Sequence, residues 1–299
     1  MSGHLRCLAL LGVLLSALPA CAAEALGAAV GVAATADSPP NATTTPNTAT
    51  TATQKPQGQA AEQMRLPLPA QGRVRFDLTR GDGRFVAAQA VHEWQHDGKR
   101  YELQSVTETV GLVALLRSAR VVLRSRGNMT AQGLQPLDFQ AEKRGKPDGG
   151  ARFDWARMRL SLDGGPQREL NLLPQSQDLL SMFYQLSMQL PELQRWAGKD
   201  YRPDSGRQDA AREFVMPVTN GRKLERYRFE LLGEEPLNLS RLGRRQTLHL
   251  RTHAGDQLID IWLDLHAHGL PVKIRYTEAK GDAYDQTAVQ VDIAAAGAR

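Results

Sequence analysis

Apolar side chains fall at every second position through most of this chain, and that alternation restricts it to antiparallel sheet with one face turned to a core. Val74, Phe76 and Leu78 alternate with polar neighbours, and Tyr227, Phe229 and Leu231 alternate with Arg228 and Glu230. Ile259, Ile261, Leu263 and Leu265 alternate with Asp260, Trp262 and Asp264; Val272, Ile274 and Tyr276 alternate with Lys273, Arg275 and Thr277. Val289, Val291 and Ile293 close the chain the same way. Turn signals separate these runs at Gly81-Asp82-Gly83, Asp97-Gly98, Asn220-Gly221 and Gly281-Asp282. Phe153 and Trp155 share one parity while Met158, Leu160 and Leu162 have the other, so a bulge is expected near Ala156–Arg157.

The first residues set the compartment. Arg6 followed by the apolar run Leu8–Leu18 and small residues reads as an export signal over 1–22, too short to span a bilayer. Leu18-Pro19-Ala20-Cys21 resembles a lipobox with Pro19 in an unusual place, whereas Ala20-Cys21-Ala22 fits ordinary signal cleavage. Both routes stay open, with Cys21 as the lipidation candidate. Either one places the mature protein in the periplasm, soluble or tethered to a membrane, away from cytosolic ATP and NADH. Both cysteines, Cys7 and Cys21, lie in this leader, so the body has no disulfide, thiol nucleophile or Cys-ligated metal. Residues 23–65 are rich in Ala, Thr and Pro and poor in large apolar side chains, the composition of a disordered tether. Residues 66–295 form one β domain, and 296–299 a tail.

Two segments depart from period two. Gly111–Ser118 is a short helix between strands. Gln177–Leu190 is the stronger helix: Ser176 is placed to cap it, Asp178 suits its positive end, and Pro191 stops it. Leu179, Phe183, Leu186 and Leu190 form its apolar stripe, widened by Leu180, Met182 and Tyr184.

The order of features resembles the DUF3108 family of exported bacterial proteins of unknown function. The residues that carry the resemblance are Tyr101–Ser118, Gly133-Leu-Gln-Pro, Gln177-Asp-Leu-Leu-Ser, Glu225-Arg-Tyr-Arg-Phe-Glu, Ile261-Trp-Leu-Asp and Gly269-Leu-Pro-Val-Lys-Ile-Arg. It implies a mainly β fold: a single curled antiparallel sheet, or incomplete β-barrel, with one amphipathic helix packed in or across its mouth, similar to lipoprotein carriers. It also places Gln177 and Asp178 in a recurring motif, where a structural role is expected.

A curled sheet either fills its interior or leaves a cavity. Leu179, Met182, Phe183, Leu186 and Met188 are suited to line a lipid or acyl chain, and equally suited to be ordinary core. Arg120, Arg124 and Arg126 share one strand face, fit either to hold an anionic head group or to meet acidic residues across strands. His249, Arg251 and His253 share a face expected to be wet. His266 and His268 belong to a turn, with Asp264 as the nearest carboxylate and no close third ligand, so no metal or other cofactor is expected. Asp260 and Asp264 lie about 13 Å apart on one strand, beyond the reach of a glycosidase pair. Ser105, Ser125 and Ser181 lack the setting of a nucleophile.

The expected function is therefore non-enzymatic binding of an apolar or amphipathic ligand, a lipid or lipoprotein. The alternatives are an envelope protein with a filled core and a partner-binding edge, and, more remotely, an envelope hydrolase. The formal net charge of +5 favours anionic partners. Membrane association is expected only through an anchor on Cys21, and nucleic acid is not an expected partner.

Overall fold

The computed structural model describes residues 68–81, 83, 85–116, 118–165, 168–197 and 213–294. The leader, Cys21, the tether and the tail lie outside the described residues. The alternating segments form β1 (Gln71–Arg80), β2 (Val86–His96), β3 (Arg100–Thr109), β4 (Arg120–Thr130), β5 (Gly133–Lys143), β6 (Lys146–Asp154), β7 (Arg159–Leu162) and β8 (Arg168–Asn171). After these come β9 (Gln177–Asp178), β10 (Glu213–Thr219), β11 (Leu224–Leu239), β12 (Gly243–Ala254), β13 (Gln257–Asp264), β14 (Pro271–Thr277) and β15 (Ala283–Ile293). The helices are α1 (Gly111–Leu116), α2 (Ser181–Met188) and α3 (Leu190–Ala197).

All fifteen strands belong to one sheet, ordered β8-β7-β6-β5-β4-β3-β2-β1-β15-β14-β13-β12-β11-β10-β9. Every neighbouring pair is antiparallel except the short β9–β10 pair. The chain therefore winds up and down, its first strand pairs with its last, and the sheet stays unclosed between β8 and β9. One end of the sheet, the upper end, carries the β1–β2, β3–β4, β5–β6, β10–β11, β12–β13 and β14–β15 connections.

The inward parity builds the core from Phe76, Trp94, Tyr101, Phe139, Leu160, Phe229, Leu250, Ile261 and Ile274, all buried. So many strands would enclose a wide lumen. Here α2, buried along its whole length, fills it. Across the unclosed edge, glycines let backbone meet backbone. The Gly164 N–H donates to Gly221 O at 3.0 Å, and a Cβ on Gly221 (φ 82°) would lie 2.5 Å from Gly150 N. Arg222 ties the seam by binding the carboxylate and the carbonyl of Asp148.

The outer face is zipped by cross-strand charges of alternating sign. Glu230, Arg251, Asp260, Arg275 and Asp285 stand opposite one another in sequence from β11 to β15. Arg275 grips Asp285 through two hydrogen bonds of 2.6 and 2.7 Å, and Lys273 adds an ion pair at 3.1 Å. Trp262 lies between its two register partners, stacked on His249 (4.2 Å) and under the Lys273 ammonium (5.2 Å).

Four expectations need correction. Gln177 and Asp178 are strand rather than helix, because their backbone pairs with Val218 and Thr219 of β10. Pro191 does not end the helical region: it occupies the first turn of α3, where its missing N–H costs nothing. The phase change near Ala156 is a tight turn and not a bulge, since Asp154 pairs with Arg159 and accepts the Arg157 N–H at 2.9 Å. The face of β13 that bears Asp260, Trp262 and Asp264 is buried rather than wet, because the long side chains of neighbouring strands cover it. In β15 the inward set is Tyr284, Gln286 and Ala288, and a bulge opposite Arg75/Phe76 shifts the phase beyond it.

Candidate ligand-binding site

Asp178 sets the position of α2. It is fully buried, and its Oδ1 accepts the N–H groups of Leu180 (2.9 Å) and Ser181 (2.8 Å), while Ser181 Oγ accepts the Asp178 N–H (2.9 Å). This is the reciprocal logic of a capping box, placed one turn ahead of the regular helix. Ser176, the expected cap, instead donates its hydroxyl to Leu173 O. The second carboxylate oxygen accepts the Ser125 hydroxyl of β4 at 2.6 Å, and Ser125 Oγ lies 3.1 Å from the Tyr101 hydroxyl. Burial raises the Asp178 carboxyl to about 6 against these donors, and burial with the nearby Asp178 charge pushes the Tyr101 phenol well up. Gln177 donates to Leu134 O at 2.9 Å, so both motif residues brace the β4–β5 wall.

Held there, α2 leaves a cavity of about 50 Å³ beneath the upper end. One side is apolar: Leu179, Leu180, Met182 and Phe183 face Val121, Leu123 and Ile259. The other side carries His92, Ser105, Thr107, Tyr227, Tyr276 and Gln286, and Asn220, Lys223, Glu225 and Gln257 form the rim. Lys223 and Glu225 pair with each other at 2.8 Å. The Ser105, Thr107, Tyr227 and Tyr276 hydroxyls have no hydrogen-bond partner among the described residues. With the Gln286 amide donating to His92 Nε2 (3.2 Å), the ring proton sits on Nδ1, which is buried and also lacks a partner among the described residues. Burial lowers His92 to about 4, so the ring is neutral near pH 7. The floor is thus rich in donors and carries no charge.

Of the five apolar residues expected to line a ligand, Leu179, Met182 and Phe183 do line the cavity, whereas Leu186 and Met188 pack in the core away from it. The volume suits a few waters or a small group, at roughly 10–15 Å³ per water, rather than an acyl chain. Arg120, Arg124 and Arg126 lie on the outer face, across the sheet from the cavity, and each meets an acid: Glu108 (2.7 Å), Glu142 (2.6 Å) and Glu102 (3.7 Å). His249 bridges Glu235 (3.0 Å) and Asp260 (2.9 Å) on that face. His266 and His268 lie in the β13–β14 turn, where Asp264 Oδ1 accepts the His266 and Ala267 N–H groups.

The polar floor escaped the reading of the sequence, although a signal was present. His92 shares the parity of Ala90 and Trp94, Ser105 and Thr107 that of Tyr101 and Leu103, and Gln286 that of Tyr284 and Ala288. Polar residues repeated at inward positions mark either a buried network or a site.

A sheet wound up and down around a helix, unclosed at one edge and holding an amphipathic cavity, defines a barrel-like protein. The family described as "Protein of unknown function (DUF3108)" matches residues 75–288, and the chain belongs to it. No curated protein matches. Among solved structures, the chain is similar to a beta-barrel-like protein of a domain of unknown function, DUF1849, from Brucella abortus. The identity is 11%, the match covers 75% of this chain and 98% of that one, and the TM-score is 0.48.

Proposed function

We propose that this is an exported cell-envelope protein that binds, without catalysis, the polar uncharged end of a small amphipathic ligand in the cavity beside α2. One observation carries the reading: the cavity has one apolar wall and, facing it, neutral hydroxyls with no hydrogen-bond partner among the described residues together with the buried, unpaired His92 Nδ1. A buried donor left unpaired, as at His92 Nδ1, is costly, so a ligand or ordered water supplying acceptors to it and to the hydroxyls is favoured there. A charged group is disfavoured, because no opposite charge waits on the floor. Catalysis has little support. His92 and Ser105 stand opposite each other but share no hydrogen bond, and the second ring nitrogen of His92 meets the Gln286 amide, which cannot stabilise an imidazolium. Export rests on the leader over 1–22.

Native mass spectrometry of the protein recovered from the periplasm tests this. The expected result is a bound small molecule that Thr107→Val with Ser105→Ala releases at least about tenfold more readily, the two hydroxyls each contributing about 1 kcal/mol. A second variant, Leu186→Met, leaves the cavity wall intact and should keep the ligand. A bare mass in repeated preparations, or equal retention in all three proteins, refutes the site.

A further inference from the structure

Seven large apolar side chains are exposed among the described residues, and four of them gather at one place. Phe85 is 54% exposed, Leu112 68%, Leu115 82% and Leu116 88%. They belong to α1 and to the residue before β2, joined where the Val110 N–H donates to Ala87 O (3.1 Å). Val113 alone turns inward and packs against the core, which fixes the helix with its leucines outward. This is the upper end. Thr107 and Val121, paired with each other, line the cavity just below the Thr109–Ala119 hydrogen bond from which α1 springs.

Charge says what such a patch meets. The sequence segments that hold it, 80–85 and 116–120, contain Arg80, Arg84, Arg117 and Arg120 against the single acid Asp82. The acids Glu108 and Asp282 are each bound to an arginine, Arg120 and Arg80. Arg144 and Lys146 are exposed beside Arg120, whose carbonyl accepts the Arg144 N–H (2.8 Å). A second copy would set exposed Arg144 and Lys146 against their own images across a two-fold axis. An anionic bilayer would take the leucines together with exposed Arg144 and Lys146 and the basic excess of these segments. None of the described helices is long and apolar enough to cross a membrane.

We propose that the upper end docks on an anionic phospholipid surface through Phe85, Leu112, Leu115 and Leu116, with the cavity mouth turned to the lipid. The docking needs no lipid anchor, and it holds whether or not the cavity takes a ligand. The body lacks cysteine, so the full chain carrying Cys7→Ser and Cys21→Ser accepts one environment-sensitive dye, at Leu116→Cys or, as a reference, at exposed Val215→Cys on β10. With vesicles of phosphatidylethanolamine and phosphatidylglycerol, the dye at 116 should shift to the blue and the dye at 215 should not. Leu115→Asp with Leu116→Asp should weaken vesicle affinity at least about tenfold per side chain while leaving thermal stability unchanged. Added salt or pure phosphatidylcholine should weaken it too. Equal shifts at both positions, or unaltered affinity in the double variant, overturn the proposal. So does a dimer formed without lipid and abolished by the double variant, which would assign the patch to a second copy.

Discussion

Replacing Asp178 by asparagine should make this protein more stable at neutral pH, although it removes the carboxylate around which α2 is anchored. The carboxyl is raised from 3.8 to about 6 by full burial. A shift of that size corresponds to about 3 kcal/mol between the neutral and ionised forms. Below about pH 4 the folded and unfolded chains both hold the proton, and the stability linked to this group is fully present. As pH rises toward 6 the unfolded chain ionises first, so stability falls, and it levels off once the folded chain has ionised as well. Asparagine holds the neutral state throughout. Its Oδ1 can keep accepting the Leu180 and Ser181 N–H groups. Its Nδ2 can donate to Ser125 Oγ, whose own hydrogen turns to the Tyr101 hydroxyl. The variant should match the parent near pH 4 and exceed it by about 3 kcal/mol near pH 8, or about 6–12 °C in Tm for a domain of this size. Urea titrations of both proteins across that range, followed by circular dichroism, read the difference directly and cancel every other titrating group. A variant less stable than the parent near pH 8 would refute the reasoning, because it would mean that the ionised acceptor outweighs its burial.

Gly221→Ala should destabilise by about 2–4 kcal/mol, since the new Cβ meets the Gly149–Gly150 backbone across the seam, and urea midpoints give the value. Gly98→Ala, of like backbone (φ 84°) but in open space, should lose only about 1 kcal/mol, the left-handed strain alone. Asp285→Ala leaves Arg275 and Lys273 side by side with no acid between them; a loss of about 2–3 kcal/mol is expected by thermal unfolding, and it should shrink in added salt.

The strands were legible because their information is local: alternation needs only near neighbours, as in Val74–Leu78 or Val272–Tyr276. What depends on register was not. Gln177-Asp178 reads as a helix start until β10 is laid beside it, and Asp178 then caps a turn that the strand, not the helix pattern, has positioned. The outer face of β13 reads as wet until Arg251, His249, Lys273 and Arg275 arrive from both sides. The apolar wall of the cavity was half visible in the α2 stripe. Its polar wall comes from β2, β3, β11, β14 and β15, and only their convergence makes Ser105 or His92 more than an odd residue on an apolar parity.

The pairing of β1 with β15 governs how the chain comes together. The two strands lie at the middle of the strand order, so the centre of the sheet joins the earliest and latest residues of the body, as in Gly72 with Ile293. A chain that grows from its N-terminus can zip β1 to β8 into one meander, yet β1 must wait with a bare edge until β15 has been made. The edge at the centre of the sheet therefore stays bare until β15 is in place. Any product cut short of Ala283 keeps that edge open, ready to pair with a neighbouring molecule instead of with its own missing end.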